Sequence, residues 1–125
     1  MLSFTLSEVT HYRSQLADYP DALTALDEIE NCDGNLEDAA INLAIKVGQR
    51  PDRTDWLGGL AKRYRVEICQ THLQEELSQG NLISVIDHLT KAKIGPAILV
   101  TPVVLYVMKM GVKDFCSTLD VKTNL

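Results

Sequence analysis

The sequence is poor in the residues and motifs that stabilise secreted proteins. Its three cysteines, Cys32, Cys69 and Cys116, are an odd number at wide and irregular spacing. This pattern argues against a disulfide framework and predicts reduced thiols, as in a cytoplasmic protein. The first residues hold no basic segment followed by an apolar one, so we expect no signal peptide.

Motifs of catalysis are missing as well. We find no nucleophile motif, no glycine-rich phosphate loop and no pair of catalytic carboxylates. The pair Gly58-Gly59 lacks the Gly-Lys-Ser/Thr continuation that a phosphate loop requires. We therefore expect a protein that is not an enzyme and binds no cofactor.

One predicted helical face carries three residues that could form a metal site, Cys69, His72 and Glu76, at positions i, i+3 and i+7. Side chains of these types can ligate zinc. Zinc sites usually show a second clustered pair of ligands, however, and the sequence has none. The prediction is a half-buried cysteine beside a surface histidine, without a metal.

Basic residues are scarce in the first part of the chain. Residues 1 to 48 contain nine acidic side chains against Arg13 and Lys46, a balance of −7. Residues 49 to 125 contain ten basic and eight acidic side chains, a balance of +2. This asymmetry predicts a boundary near residue 48, and an acidic half that repels nucleic acid and anionic membranes.

Apolar residues recur at the helical spacing along nearly the whole chain, and no strand-like alternation persists. The prediction is an all-α fold of about six helices. The first helix begins after Ser3 or Ser7, and Pro20 opens a second that runs to about Asn31. The inward positions of the first helix are Leu6, Val9, Tyr12 and Leu16, and those of the second are Leu23, Leu26 and Ile29.

A third helix is predicted to begin at Asn35. Gly34 tolerates the left-handed conformation that ends many helices, and the Asn35 side chain can accept hydrogen bonds from the first turn. Glu37 and Asp38 lie where the helix dipole favours negative charge. Gly48 ends this helix, whose inward stripe is Leu36, Ala39, Ala40, Leu43 and Val47.

The second half begins with a polar segment, residues 49–55, that we interpret as a linker. A long helix from Trp56 to about Ser78 follows, and the Gly58-Gly59 pair, which is costly inside a helix, predicts close packing there or a later start of the helix. The next helix carries Leu82, Val85, Ile86 and Leu89. A last helix spans Ala97 to Met110 with a kink near Pro102, and the tail after Cys116 is expected to be loose.

The segment between Lys93 and Lys109 contains fifteen residues and no charge. A transmembrane helix needs about 20 apolar residues, so we expect no membrane span. The helix Ala97 to Met110 is apolar on nearly every side and must be surrounded. Two arrangements stay open: it is the shared centre of both halves, or the seam of a homodimer.

Residues 18 to 45, with the sequence DYPDALTALDEIENCDGNLEDAAINLAI, resemble the ubiquitin-associated (UBA) and CUE class of three-helix domains. The turn Gly34-Asn35-Leu36-Glu37, followed by Ala39 and a late leucine, is similar to the opening of their third helix. The resemblance covers residues 3 to 47. It implies a UBA-like three-helix unit in residues 1–48, before the linker 49–55 and a C-terminal helical unit in residues 56–125.

In ubiquitin-binding relatives, the surface combines a Met-Gly-Phe or Met-Phe-Pro loop with a Leu-Leu pair late in the third helix. The resemblance therefore implies a protein-binding surface made of Tyr19, Pro20, Leu43 and Ala44. Asp18 stands in place of the methionine and Ala44 in place of the second leucine. Both changes remove apolar contact area, so we expect a partner protein other than ubiquitin.

The favoured function is a protein–protein interaction module, as an adaptor or regulatory subunit. One alternative is nucleic-acid binding through the span Arg50 to Arg65, where basic residues alternate with Trp56 and Tyr64. The same span could instead form an electrostatic seam against the acidic half. The other alternative is a purely structural or oligomerising role. The basic residues of the span are Arg50, Arg53, Lys62, Arg63 and Arg65.

Overall fold

The computed structural model describes residues 2–51 and 55–123, with side chains described as far as Ser117. It is 73% helical, which confirms the all-α prediction. Because the long helix of the second half is divided and the tail is helical, the described residues form nine α-helices rather than about six. They are α1 (Leu6–Gln15), α2 (Pro20–Asn31), α3 (Leu36–Lys46), α4 (Trp56–Arg63), α5 (Arg65–Ile68), α6 (Thr71–Ser78), α7 (Ile83–Ala92), α8 (Val100–Met110) and α9 (Val112–Thr123), with a 3-10 turn, Ala97–Leu99, before α8.

Helix α1 begins after Thr5, and not after Ser3 or Ser7 as predicted. The hydroxyl of Thr5 accepts a hydrogen bond from the Glu8 backbone N–H at 3.1 Å, and the Glu8 carboxylate accepts one from the Thr5 N–H at 2.9 Å. This reciprocal capping box satisfies two backbone donors at once. As a result Leu6, predicted to point inward, is the first helical residue and is 66% exposed.

Helix α3 begins as predicted. The Asn35 side chain accepts a hydrogen bond from the Asp38 backbone N–H at 3.0 Å, and Gly34 has a φ of 86°. The predicted inward stripe is correct except at its end: Val47 follows the last helical turn and is 41% exposed, whereas Ala44 is fully buried.

The long helix predicted from Trp56 to Ser78 is wrong, because the chain turns twice within it. One turn lies at Tyr64, and the other at Cys69-Gln70, where Gln70 has extended backbone angles. The Gln74 side chain donates to the Cys69 carbonyl at 2.7 Å, which satisfies an acceptor freed by the second break. The turns divide the segment into three helices, and each of them buries apolar residues in the core.

Two predictions about the C-terminal part are also wrong. Pro102 is buried in the first turn of α8, where its missing N–H breaks no helical hydrogen bond, so it causes no kink. The tail after Cys116, expected to be loose, is helical as far as Thr123, since residues 112 to 123 form α9. Phe115 and Cys116, on this helix, are buried against α5 and α6.

Helix α8 lies at the centre of the molecule. It packs against α2 and α3 of the first half and against α4, α7 and α9 of the second. The buried apolar residues of both halves form one continuous cluster. Of the two arrangements left open, the structure has the first: α8 packs between the two halves, and the buried residues of 1–48 and 56–125 belong to one cluster. None of the helices in the described ranges combines the length and apolar character needed to cross a membrane.

The prediction of three reduced cysteines is wrong. Cys69, at the end of α5, forms a disulfide with Cys116 on α9, and their Cα atoms are 5.6 Å apart. Packing of α5 against α9 brings together residues that are 47 positions apart, which their spacing in the sequence does not reveal. Cys32 is a free, half-buried thiol, and burial raises its pKa.

Candidate functional site

The predicted protein-binding residues do not form one surface. Tyr19 is half-buried at the start of α2, and Pro20, the first residue of that helix, is exposed. Leu43 and Ala44 have no exposed surface at all. A binding surface that includes Leu43 and Ala44 is therefore not available to a partner.

The cause is the position of the second half. Helix α3 packs against α2 on one side, and against α4, the 3-10 turn and α8 on the other. The late part of α3, which the resemblance assigns to binding, thus belongs to the shared core. Any surface that the first half offers to a partner must lie elsewhere.

The basic span is divided between surface and core. Lys62 and Arg63 are exposed, and Arg63 donates to the Ile94 carbonyl at 3.5 Å. The guanidinium of Arg65 instead lies over the Phe115 ring, 4.9 Å from its centroid, and Tyr64 is fully buried. Arg53 lies outside the described residues. Two of the residues that would face a nucleic acid are therefore turned toward the protein.

Among the described residues, the basic span forms no electrostatic seam against the acidic half. Arg50, Lys62, Arg63 and Arg65 make no ion pair there with residues 1–48. Lys109, at the end of α8, does join the two halves, since its ammonium lies 3.1 Å from the Glu8 carboxylate. It also lies 4.7 Å from the Phe4 ring centroid. This contact fixes the start of α1 against α8.

A cleft in the second half is lined by both histidines of that half, His72 and His88. The Nε2 atom of His88 lies 2.7 Å from a Glu67 carboxylate oxygen, and the His72 ring meets the His88 ring edge-on at 6.5 Å. Cys69 is in the disulfide and does not join His72 and Glu76 as predicted for the metal alternative. Within the described ranges, no three His, Cys, Asp or Glu side chains are placed to hold a metal ion.

An apolar groove lies at the start of α1, with a volume of about 310 Å³. Phe4 and Val9 occupy the positions flanking the Thr5 cap that form a hydrophobic staple in many helices. Both are buried, whereas Leu6, on the same groove, is one of the most exposed apolar residues. Sequence reasoning missed this groove, because the Thr5 to Glu8 capping box marks only the start of α1 and not the wall that lies opposite it.

The far wall of the groove is acidic. It is formed by Gly34 together with Glu30 and Asp33, at the end of α2 and in the turn to α3. The wall is held close because the Phe4 N–H donates to the Gly34 carbonyl at 2.9 Å, and the Leu36 N–H donates to the Leu2 carbonyl at 3.0 Å. The groove therefore has a rigid backbone frame, an apolar floor and two exposed carboxylates.

Comparison with known proteins adds no assignment. No family model matches the chain, and no curated protein or solved structure matches it significantly.

Proposed function

We propose that the protein is a non-enzymatic protein–protein interaction module, acting as an adaptor or regulatory subunit. The UBA-like first half, α1 to α3, carries the binding site in this proposal, and the second half is the support that covers α3. The partner is a protein other than ubiquitin, because the late residues of α3 that the resemblance assigns to ubiquitin binding are buried.

The observation that carries this proposal is the exposure of Leu6 beside the groove. Single exposed apolar residues are common and need no explanation. Leu6 differs because it continues the apolar floor formed by Phe4 and Val9, and so extends a concave surface. Burying a leucine side chain contributes about 1.5 to 3 kcal/mol, which is enough to make it a central contact.

Val66 provides a matched control for Leu6. It is 67% exposed against 66% for Leu6, but it lies on α5 and does not line the groove. A photoreactive amino acid placed at position 6 should cross-link a partner protein in extracts of the native cell, and one placed at position 66 should not. Co-purification of that partner should be lost in Leu6→Ser and retained in Val66→Ser. Equal losses in the two variants would refute the groove as the binding site.

The location of the protein in the cytoplasm is part of the same proposal, and the Cys69–Cys116 disulfide argues against it. Disulfides rarely persist in reducing compartments. Fractionation of the native cell, with the thiols blocked before lysis, distinguishes a cytoplasmic location from an oxidising compartment. A cytoplasmic protein with three free thiols would support the proposed location, whereas an oxidised pair would place the protein in an oxidising compartment.

A further inference from the structure

The charge around the groove is unbalanced. Glu30 has a basic neighbour, since a guanidinium nitrogen of Arg13 lies 3.5 Å from its carboxylate. Asp33, in contrast, has no basic side chain within salt-bridge distance among the residues that the structure describes. Residues 1 to 48 as a whole have a balance of −7. The groove thus has an uncompensated negative charge at its rim, that of Asp33, beside an apolar floor.

The size of the groove limits what can enter it. A volume of about 310 Å³ is at the lower end for sites that take small molecules, which begin at roughly 300 Å³. It accommodates one or two side chains of a protein segment rather than a large ligand. A segment that inserts an apolar side chain here must pass the carboxylates of Glu30 and Asp33.

Resting on the proposed function, we infer that the occupant is a segment of a partner protein with an aliphatic or aromatic side chain next to a lysine or arginine. The apolar side chain enters beside Leu6, and the cation lies against Asp33. An acidic segment or an anionic membrane meets like charge at this rim and is disfavoured. Charge complementarity therefore selects the class of partner.

Asp33 can be neutralised without disturbing the backbone. Its φ is 55°, in the left-handed region, where asparagine is tolerated about as well as aspartate. Asp33→Asn therefore removes the charge and keeps the turn. Glu75→Gln, an exposed position on α6, makes the same change in net charge away from the groove and is the matched control.

The probe is a fluorescent 12-residue peptide of leucine, alanine and lysine, together with the same peptide with every lysine replaced by glutamate. Binding is measured by fluorescence anisotropy at low salt with the full chain. The lysine peptide should bind, and its Kd should rise about threefold in Asp33→Asn, as for an exposed charge pair. It should rise tenfold or more in Leu6→Ser, which loses a buried leucine. Glu75→Gln and Val66→Ser should leave the Kd unchanged.

The outcomes separate this inference from the proposed function. If the glutamate peptide binds equally well and its binding depends on Leu6, the preference for a basic segment is refuted and the groove stands as a protein site. If the binding of neither peptide depends on Leu6, the inferred occupant and the proposed binding site are both refuted. If the protein alone dimerises and Leu6→Ser makes it monomeric, the occupant is a second copy and the inference is overturned.

Discussion

The backbone carbonyl of Phe4 occupies the space that a side chain at Gly34 would need. A Cβ atom at position 34 would lie 2.0 Å from the Phe4 oxygen. The same two residues are joined by the hydrogen bond from the Phe4 N–H to the Gly34 carbonyl. The residues before α1 and the turn before α3 are therefore in contact through their backbones, and the groove depends on this contact.

Gly34→Ala should destabilise the protein strongly. The left-handed φ of 86° is unfavourable for alanine, and its Cβ would also collide with Phe4. We expect a loss of about 3 kcal/mol or more in the free energy of unfolding, measured in urea.

Gly48→Ala is the control for this variant. Gly48 has a φ of 81°, but nothing lies within 4 Å of a Cβ there. It should therefore lose only the conformational part, about 1 kcal/mol. Equal losses in Gly34→Ala and Gly48→Ala would mean that the contact with Phe4 contributes nothing.

Asn35→Ala should destabilise the protein by about 1 kcal/mol, because it removes the side-chain acceptor for the Asp38 N–H. Asn31→Ala, at the exposed end of α2, replaces the same residue type outside a cap and should change stability by less than about half as much. A thermal midpoint of Asn35→Ala equal to that of the wild type would contradict the capping role.

The start of α3 and the burial of α8 could be predicted from the sequence because their signals are local. Asn35 and Gly34 act within one turn, and the apolar character of α8 needs no knowledge of its neighbours. The breaks at Tyr64 and Gln70 could not be predicted, because they are imposed by tertiary packing. The periodicity of the apolar residues alone continues through both.

The binding surface predicted at the end of α3 was likewise beyond what local sequence patterns can decide. The late residues of α3 match the apolar pattern of a binding helix, but the same pattern describes a buried one. Only the packing of α8 and α4 decides that Leu43 and Ala44 belong to the core. The groove beside Leu6 depends in turn on contacts between Phe4 and Gly34, thirty residues apart, for which the sequence carries no signal.

The Cys69–Cys116 disulfide should contribute substantially to stability. It closes a loop across 47 positions, and loop-closure entropy for that length corresponds to about 4 kcal/mol, an upper expectation for a typical bond. Reduction, or the double variant Cys69→Ala with Cys116→Ala, should therefore lower the melting temperature by several degrees or more. Cys32→Ser should not remove the response to reductant. An identical melting temperature with and without reductant, in protein shown by mass to be oxidised, would contradict this.

Acid should weaken the start of α1. The hydrogen bond from the Thr5 backbone, and then the contact with Lys109, hold the pKa of Glu8 below its usual value of 4.5. A lowered pKa in the folded state means that this stabilisation is present above pH 4.5 and is lost as the pH falls below it. Because the side chain is partly exposed, the effect should be less than about 1 kcal/mol.

Glu8→Gln tests this dependence without breaking the capping box, since the amide oxygen can also accept from the Thr5 N–H. Its urea midpoint should fall less than that of the wild type as the pH decreases through the acidic range. If both proteins lose the same stability on acidification, the charge of Glu8 makes no contribution.

Val104→Asp tests the central position of α8. Val104 is fully buried, and α8 is surrounded by helices from both halves of the chain. An unpaired carboxylate there would lose its hydration without gaining a partner, at a cost of several kcal/mol, comparable to the whole stability of a small domain. We expect Val104→Asp to abolish folding, measured by circular dichroism.

Met110→Ser, at the half-exposed end of the same helix, should remain folded with the wild-type mass by light scattering. A folded, monomeric Val104→Asp obtained from a dimeric wild type would instead make α8 the seam of a homodimer. A folded variant with the wild-type mass would mean that α8 is not at the centre of the fold.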